Sequence, residues 1–190
     1  MLPYPPRAFG LLLAAGLAGC ALLERPSPAP VDREYPVATQ GYTLLYEVVS
    51  KQKLSDKLLL IKIESDAVDA VIGEIAEDAA RIEDQLKDIA RQDPEIDLDR
   101  PILPEMEVRK RASVQAERLK DLLGSTGRDF ERLLLLTQSG TLNQTRHLAR
   151  EMVKAESDPQ RKAFWEDVQR QYDDNYANLV QLLEAQYFTH

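Results

Sequence analysis

From residue 54 onward, apolar positions recur with a helical period. Leu54, Leu58, Ile61, Ser65, Val68, Ile72, Ile75, Ala79, Ile82, Leu86 and Ile89 are separated by alternating steps of four and three. This is the heptad spacing that keeps one helix face against a partner. Ser65 is its polar member, while Leu59, Val71, Ala76 and Ala90 widen the seam into a stripe suited to several neighbours. With Ser55 as N-cap and Asp93-Pro94 as stop, the spacing predicts one long first helix of about 38 residues, about 57 Å in length. Residues 43–51 read as a short helix leading into it.

A loop carrying Pro94, Pro101 and Pro104 follows. Pro104 suits a first helical turn, and Glu105 and Glu107 complement the N-terminal dipole. The second predicted helix reaches Leu123 on a stripe of Val108, Ala112, Leu119 and Leu122, and Gly124-Ser125-Thr126-Gly127 ends it. A third helix is expected over 128–155. Asp158-Pro159 caps a fourth, whose stripe is Trp165, Val168, Tyr172, Tyr176, Leu179 and Leu183. Nothing alternates with period two. The expected fold class is all-α, and a four-helix bundle satisfies these stripes.

The third helix departs from this regularity. It opens with Phe130, Leu133, Leu134, Leu135 and Leu136, and the line through Phe130 and Leu134 then continues into Thr137, Thr141 and Gln144 before recovering at Leu148. An apolar face that turns polar for two turns predicts a buried hydrogen-bonded layer. Ser65, Thr137, Thr141 and Gln144 are its candidate members, His147 stands at its edge, and Asn175 is within reach as a partner. The same pattern also fits a polar pocket for a ligand inside the bundle. Gly140 would permit a close helix approach, a kink or a break in the helix.

The N-terminus reads as a processing segment. Residues 8–18 are uncharged and apolar, too short for a membrane span of about 20 residues, and Arg7 precedes them. The run ends in Leu17-Ala18-Gly19-Cys20, and Cys20 is the chain's single cysteine. Leu-Ala-Gly-Cys resembles the lipobox of bacterial lipoproteins. The resemblance implies a signal peptide over 1–19, a diacylglyceryl group on the Cys20 sulfur, cleavage before Cys20, and acylation of the freed amine, with palmitate as the kind of chain. Ala21 rather than aspartate after the cysteine points, in that family, to the outer membrane facing the periplasm. Two or three acyl chains anchor firmly, since each buried methylene contributes about 0.8 kcal/mol. Lipidation also leaves no thiol for a disulfide. Residues 20–41 then form a tether, because Pro26, Pro28, Pro30 and Pro36 favour extended polyproline II over helix. Residues 42–190 are the helical body.

Charge and chemistry narrow the function. The chain carries 24 Lys and Arg against 32 Asp and Glu, a formal charge of −8, and loss of Arg7 makes the body more acidic still. That balance argues against nucleic acid and against anionic lipid headgroups as partners. There are two histidines, and neither completes the Glu-x-x-His pattern of carboxylate-bridged bundles. Glu64, Asp66, Asp69, Glu74, Glu77 and Asp78 fall mostly off the seam, as a solvated face would. His147 and Glu151 are two ligands at most, too few for a metal site. Ser139 has no evident base, no Gly-x-Ser-x-Gly turn is present, and the short 124–127 turn lacks a phosphate-binding lysine.

In helix order and in its mixed polar third helix, residues 54–188 resemble periplasmic helical domains of ferritin-like type. The chain departs from ferritins at every metal position, so that resemblance implies their shape without their chemistry. The expectation is a non-enzymatic, lipid-anchored envelope protein without cofactor, whose bundle binds or scaffolds another envelope component or a second copy. Such a protein would expose an apolar patch on the first or fourth helix. The alternative is a carrier or sensor of a small ligand, which would show a cavity lined by the polar residues of the third helix.

Overall fold

Five helices are formed by the residues that the computed structural model describes, 36–53 and 64–188. In chain order they are α1 (Val37–Gln52), α2 (Asp66–Gln92), α3 (Glu105–Gly124), α4 (Gly127–Ala155) and α5 (Pro159–Tyr187). No strand occurs among the described residues, so the all-α class holds. The expected signal peptide, Cys20 and the first three tether prolines lie outside the described residues, as do Leu54, Leu58 and Ile61.

The seam of the first long helix is buried from Val68 through Ile72, Ile75, Ala79, Ile82 and Leu86, with Ile89 partly buried. The helix itself is shorter than its pattern predicts. It spans 27 residues, about 40 Å, against 29 each for α4 and α5. It starts at Asp66 because Ser65 takes an extended conformation, φ −94° and ψ 118°. The Glu64 and Ser65 amides are both held by Glu131 Oε1, each at 2.8 Å. A carboxylate that takes the orphan N–H groups of a helix start also complements its dipole. Ser65 is therefore the N-cap of α2 and no member of its seam. At the other end, Gln92 closes the helix, and Asp93 Oδ1 accepts from the Glu95 N–H at 3.1 Å to form the turn.

Residues 43–51 lie within a full helix of the body. α1 buries Tyr42, Leu45 and Val49 in the common core. It begins at Val37, so Gly41 lies inside the helix, where a Cβ would collide with the Met152 side chain of α4. Close approach of two helices is the reason for glycine there. α4 and α5 form the most extensive helix pair; α1 packs on α2 and α4, and α2 on α5. At one end Tyr42, Phe164 and Trp165 make an aromatic cluster, with Tyr42 and Trp165 edge-on at 5.1 Å. At α5, Asp158 accepts from the Gln160 and Arg161 amides at 3.0 and 2.8 Å, and Pro159 follows as the spacing predicted.

The second predicted helix was expected to be a wall of the bundle, and it is not. α3 has no buried residue; Val108, Ala112 and Leu119 of its stripe are exposed and Leu122 is half-buried. It touches α4, Leu122 packs against the core, and Arg111 lies 3.9 Å from Glu47 of α1. Between α3 and α1 lies an open cleft of about 420 Å³, lined among others by Tyr46, Leu98, Ile102, Val108 and Ala112.

Candidate functional site

Two features compete as the place where this body does something: its polar interior and the exposed helix α3. The interior comes first, because the polar stretch of α4 was expected there. Its buried line runs Phe130, Glu131, Leu134, Leu135, Gln138, Leu142, Thr145, Ala149 and Met152. The predicted line stepped three residues from Leu134 to Thr137, whereas the helix face steps four, to Gln138 and then Leu142. That slip misplaces the expected layer. Thr137 and Thr141 are only half-buried, and Gln144 and His147 are exposed. Ser65 is at the start of α2, engaged through its backbone N–H with Glu131. The structure does not bring Ser65, Thr137, Thr141, Gln144 and His147 together. Gly140 is exposed with open space around its Cα, and α4 runs through it without a break.

A polar layer does exist, built from other residues. The Gln52 amide nitrogen donates to Gln138 Oε1 at 3.3 Å, and the Tyr172 hydroxyl donates to Gln52 Oε1 at 2.7 Å. The layer joins α1, α4 and α5 in the interior. Burial holds the Tyr172 hydroxyl well above the ordinary tyrosine value, so it acts as a neutral donor. Thr145 bonds the Thr141 carbonyl one turn back at 2.9 Å, as helical threonines do when buried. Asn175, also buried, donates to Asp78 Oδ2 of α2 at 2.8 Å.

Three carboxylates are buried as well, and sequence reading missed them all because glutamate defaults to the surface. Burial alone would raise each carboxyl; in each case local partners outweigh it and hold the group below its ordinary value. For Glu83 the partners are Lys53 and Lys87. For Glu131 they are the Tyr187 hydroxyl at 2.7 Å and the Glu64 and Ser65 amides. For Glu156 they are the Asp158 amide at 2.9 Å, Arg161 at 3.1 Å and the Tyr42 hydroxyl at 2.8 Å. Arg161 in turn reaches Asp93 at 2.6 Å and ties the end of α2 to the start of α5. Each carboxylate joins elements and is spent on structural partners; none is aimed at open space as a general base or ligand would be. Among the described residues, no group of three or more His, Cys, Asp and Glu side chains is placed to hold a metal ion.

α3 has the opposite character. Five of the seven large apolar side chains exposed among the described residues belong to this one helix: Met106, Val108, Val114, Leu119 and Leu123. Val108, Leu119 and Leu123 are 50, 48 and 64 % exposed, and with Ala112 they share the stripe that the sequence pattern had assigned to a core. An apolar stripe left in water is the informative anomaly of this surface. It was expected on the first or fourth helix. α2 contributes nothing to it, and the end of α5 contributes only Phe188, held near the α3–α4 turn by Arg128, which bonds the Gln186 carbonyl and lies over the Tyr187 ring. No described helix is long and apolar enough to cross a membrane.

No family model matches the sequence, and comparison with curated proteins and with solved structures yields no match.

Proposed function

We propose that this chain is a non-enzymatic, lipid-anchored protein of the cell envelope, held at the periplasmic face of the outer membrane through Cys20. In this reading α1, α2, α4 and α5 are the four-helix bundle that serves as a rigid body, and α3 is the part that engages another envelope component. The observation that carries the reading is the contrast between inside and outside. The Gln52–Gln138–Tyr172 layer is closed by side-chain partners, while the 20-residue α3 has no fully buried residue. A ligand carrier would need the polar residues of α4 to face a cavity, yet Gln138 is engaged by Gln52, and Thr141 and Thr145 bond their own helix.

Two experiments test the two halves of the proposal. Cys20→Ser should release or mislocalise the protein; a wild type that is soluble, with an unmodified thiol by mass spectrometry, would end the anchor. A photo-crosslinking residue at Leu119 or Leu123 should form adducts in intact cells, and one at the exposed Ala70 of α2 should not. Identical, empty patterns at all three positions would end the docking role of α3.

A further inference from the structure

Resting on the reading that α3 is the docking element, we infer that the component it engages is the anionic surface of the membrane itself. The charges along the helix support this. Projected at about 100° per residue, Val108, Ala112, Ala116, Leu119, Leu122 and Leu123 share one sector with Gln115 and, in the first turn, Glu105. Arg109 and Lys120 border that sector on one side, and Arg111 and Arg118 border it on the other. Glu107, Glu117 and Asp121 lie on the far side. Cations flanking an apolar stripe, with three of the four acids opposite, is the arrangement of a helix lying in a bilayer interface. The stripe sinks between acyl chains while long basic side chains bend outward to the phosphates. α3 carries five basic residues against four acidic ones, in a chain whose formal charge is −8. The net charge that argued against anionic headgroups is therefore carried by the rest of the body.

Local geometry leaves the cations available. Arg118 and Lys120 have no ion-pair partner among the described residues, and both are exposed. Arg109 pairs with Glu105 and Arg111 with Glu107, both as exposed pairs within the helix; such pairs contribute little and exchange readily for a phosphate. Arg111 also lies 3.9 Å from Glu47 of α1, Val108 and Ala112 line the open cleft toward α1, and Leu122 packs against the core, so the arrangement requires α3 to turn this side from the body to the membrane. A second copy fits less well. Two α3 stripes face to face would bring basic flank against basic flank. Away from α3, the described surface exposes only Leu136 and Phe188 as large apolar side chains to meet a stripe.

The test uses the full chain with vesicles of phosphatidylethanolamine and phosphatidylglycerol, the latter carrying brominated acyl chains, and phosphatidylcholine vesicles for comparison. Trp165 is fully buried and supplies a constant background. Leu119→Trp places a reporter on the stripe, and Val114→Trp places one on the opposite face. The Leu119→Trp emission should shift to the blue and be quenched by the brominated lipid, and the Val114→Trp emission should do neither. Adding Arg109→Glu, Arg111→Glu, Arg118→Glu and Lys120→Glu should abolish the response while leaving far-ultraviolet circular dichroism unchanged. Equal quenching of both reporters, or none at Leu119→Trp, overturns the inference. So does a blue shift without bromine quenching, which would place the stripe against protein and leave the scaffold reading standing. An unlipidated Cys20 by mass spectrometry would instead remove the anchor without changing what the reporters read.

Discussion

Glu131 is buried at the start of α4, where an unpaired carboxylate would cost several kcal/mol. Its two backbone amides and the Tyr187 hydroxyl make the charged form the favoured one, and the hydroxyl, desolvated and bonded to that charge, is pushed up to about 12. Glu83 and Glu156 follow the same logic with other partners. The sign of the pH dependence follows. A carboxyl whose folded value lies below its ordinary 4.5 stabilises the fold above that pH, and the contribution is lost as pH falls through the folded value. Acid titration of the melting temperature should therefore show a decline beginning near pH 4.5, and Glu131→Gln should both lower stability at neutral pH and flatten the decline. A decline of unchanged steepness in that variant would remove Glu131 from the explanation. Two glycines give a second residue-scale prediction, because their surroundings differ. Gly140→Ala meets open space in an exposed helix and should stabilise by about 0.5–1 kcal/mol. Gly41→Ala must displace Met152 in the core and should destabilise by about 1–3 kcal/mol, measured by denaturant unfolding. In sequence Gly41 closed the expected tether of residues 20–41, and Gly140 marked a bend or close approach.

At the scale of elements, the seam of α2 was legible because seven apolar positions in register leave one solution for the buried face. Ile72→Asp or Ile75→Asp should cost several kcal/mol by placing an unpaired charge in the core, and Ala70→Asp, on the exposed face, should be nearly silent. Leu119→Asp separates the structure from the pattern. A stripe packed in the bundle predicts a large loss, while the exposed α3 predicts a change within about 0.5 kcal/mol in chemical denaturation. The interior layer allows a comparison of one removal with three. Gln138→Leu alone should cost about 1–3 kcal/mol, because Gln52 stays buried with one partner lost. Gln52→Leu, Gln138→Leu and Tyr172→Phe together should be milder than the sum of the single changes. Additive losses in the thermal unfolding of the triple variant would show that the three do not act as a layer. The expected layer at Thr137, Thr141 and Gln144 missed this one by a single position. A helix turn closes between three and four residues, and a mixed stretch does not say which step to take.

For the whole molecule, local pattern determined a great deal. The all-α class followed from periodicity, as did the bounds of α4 and the start of α5 at the Asp158-Pro159 cap, because steric and hydrogen-bonding preferences act over one or two turns. The buried register of α2 followed as well, since its apolar positions repeat without ambiguity. Which helices share the core is a different kind of fact. α1 and α3 both carry apolar stripes in the sequence, yet α1 enters the core through Tyr42, Leu45 and Val49 while α3 reaches it only with the half-buried Leu122. Amphipathicity states that a face wants cover and is silent about what covers it. The start of α2 was likewise decided at a distance, by a Glu131 carboxylate 66 residues away in sequence from the Ser65 amide it holds. The charged interior was hidden for the same reason. Glu83, Glu131 and Glu156 are buried only because Lys53, Tyr187, Tyr42 and Arg161 arrive beside them, and such meetings are made by tertiary packing alone.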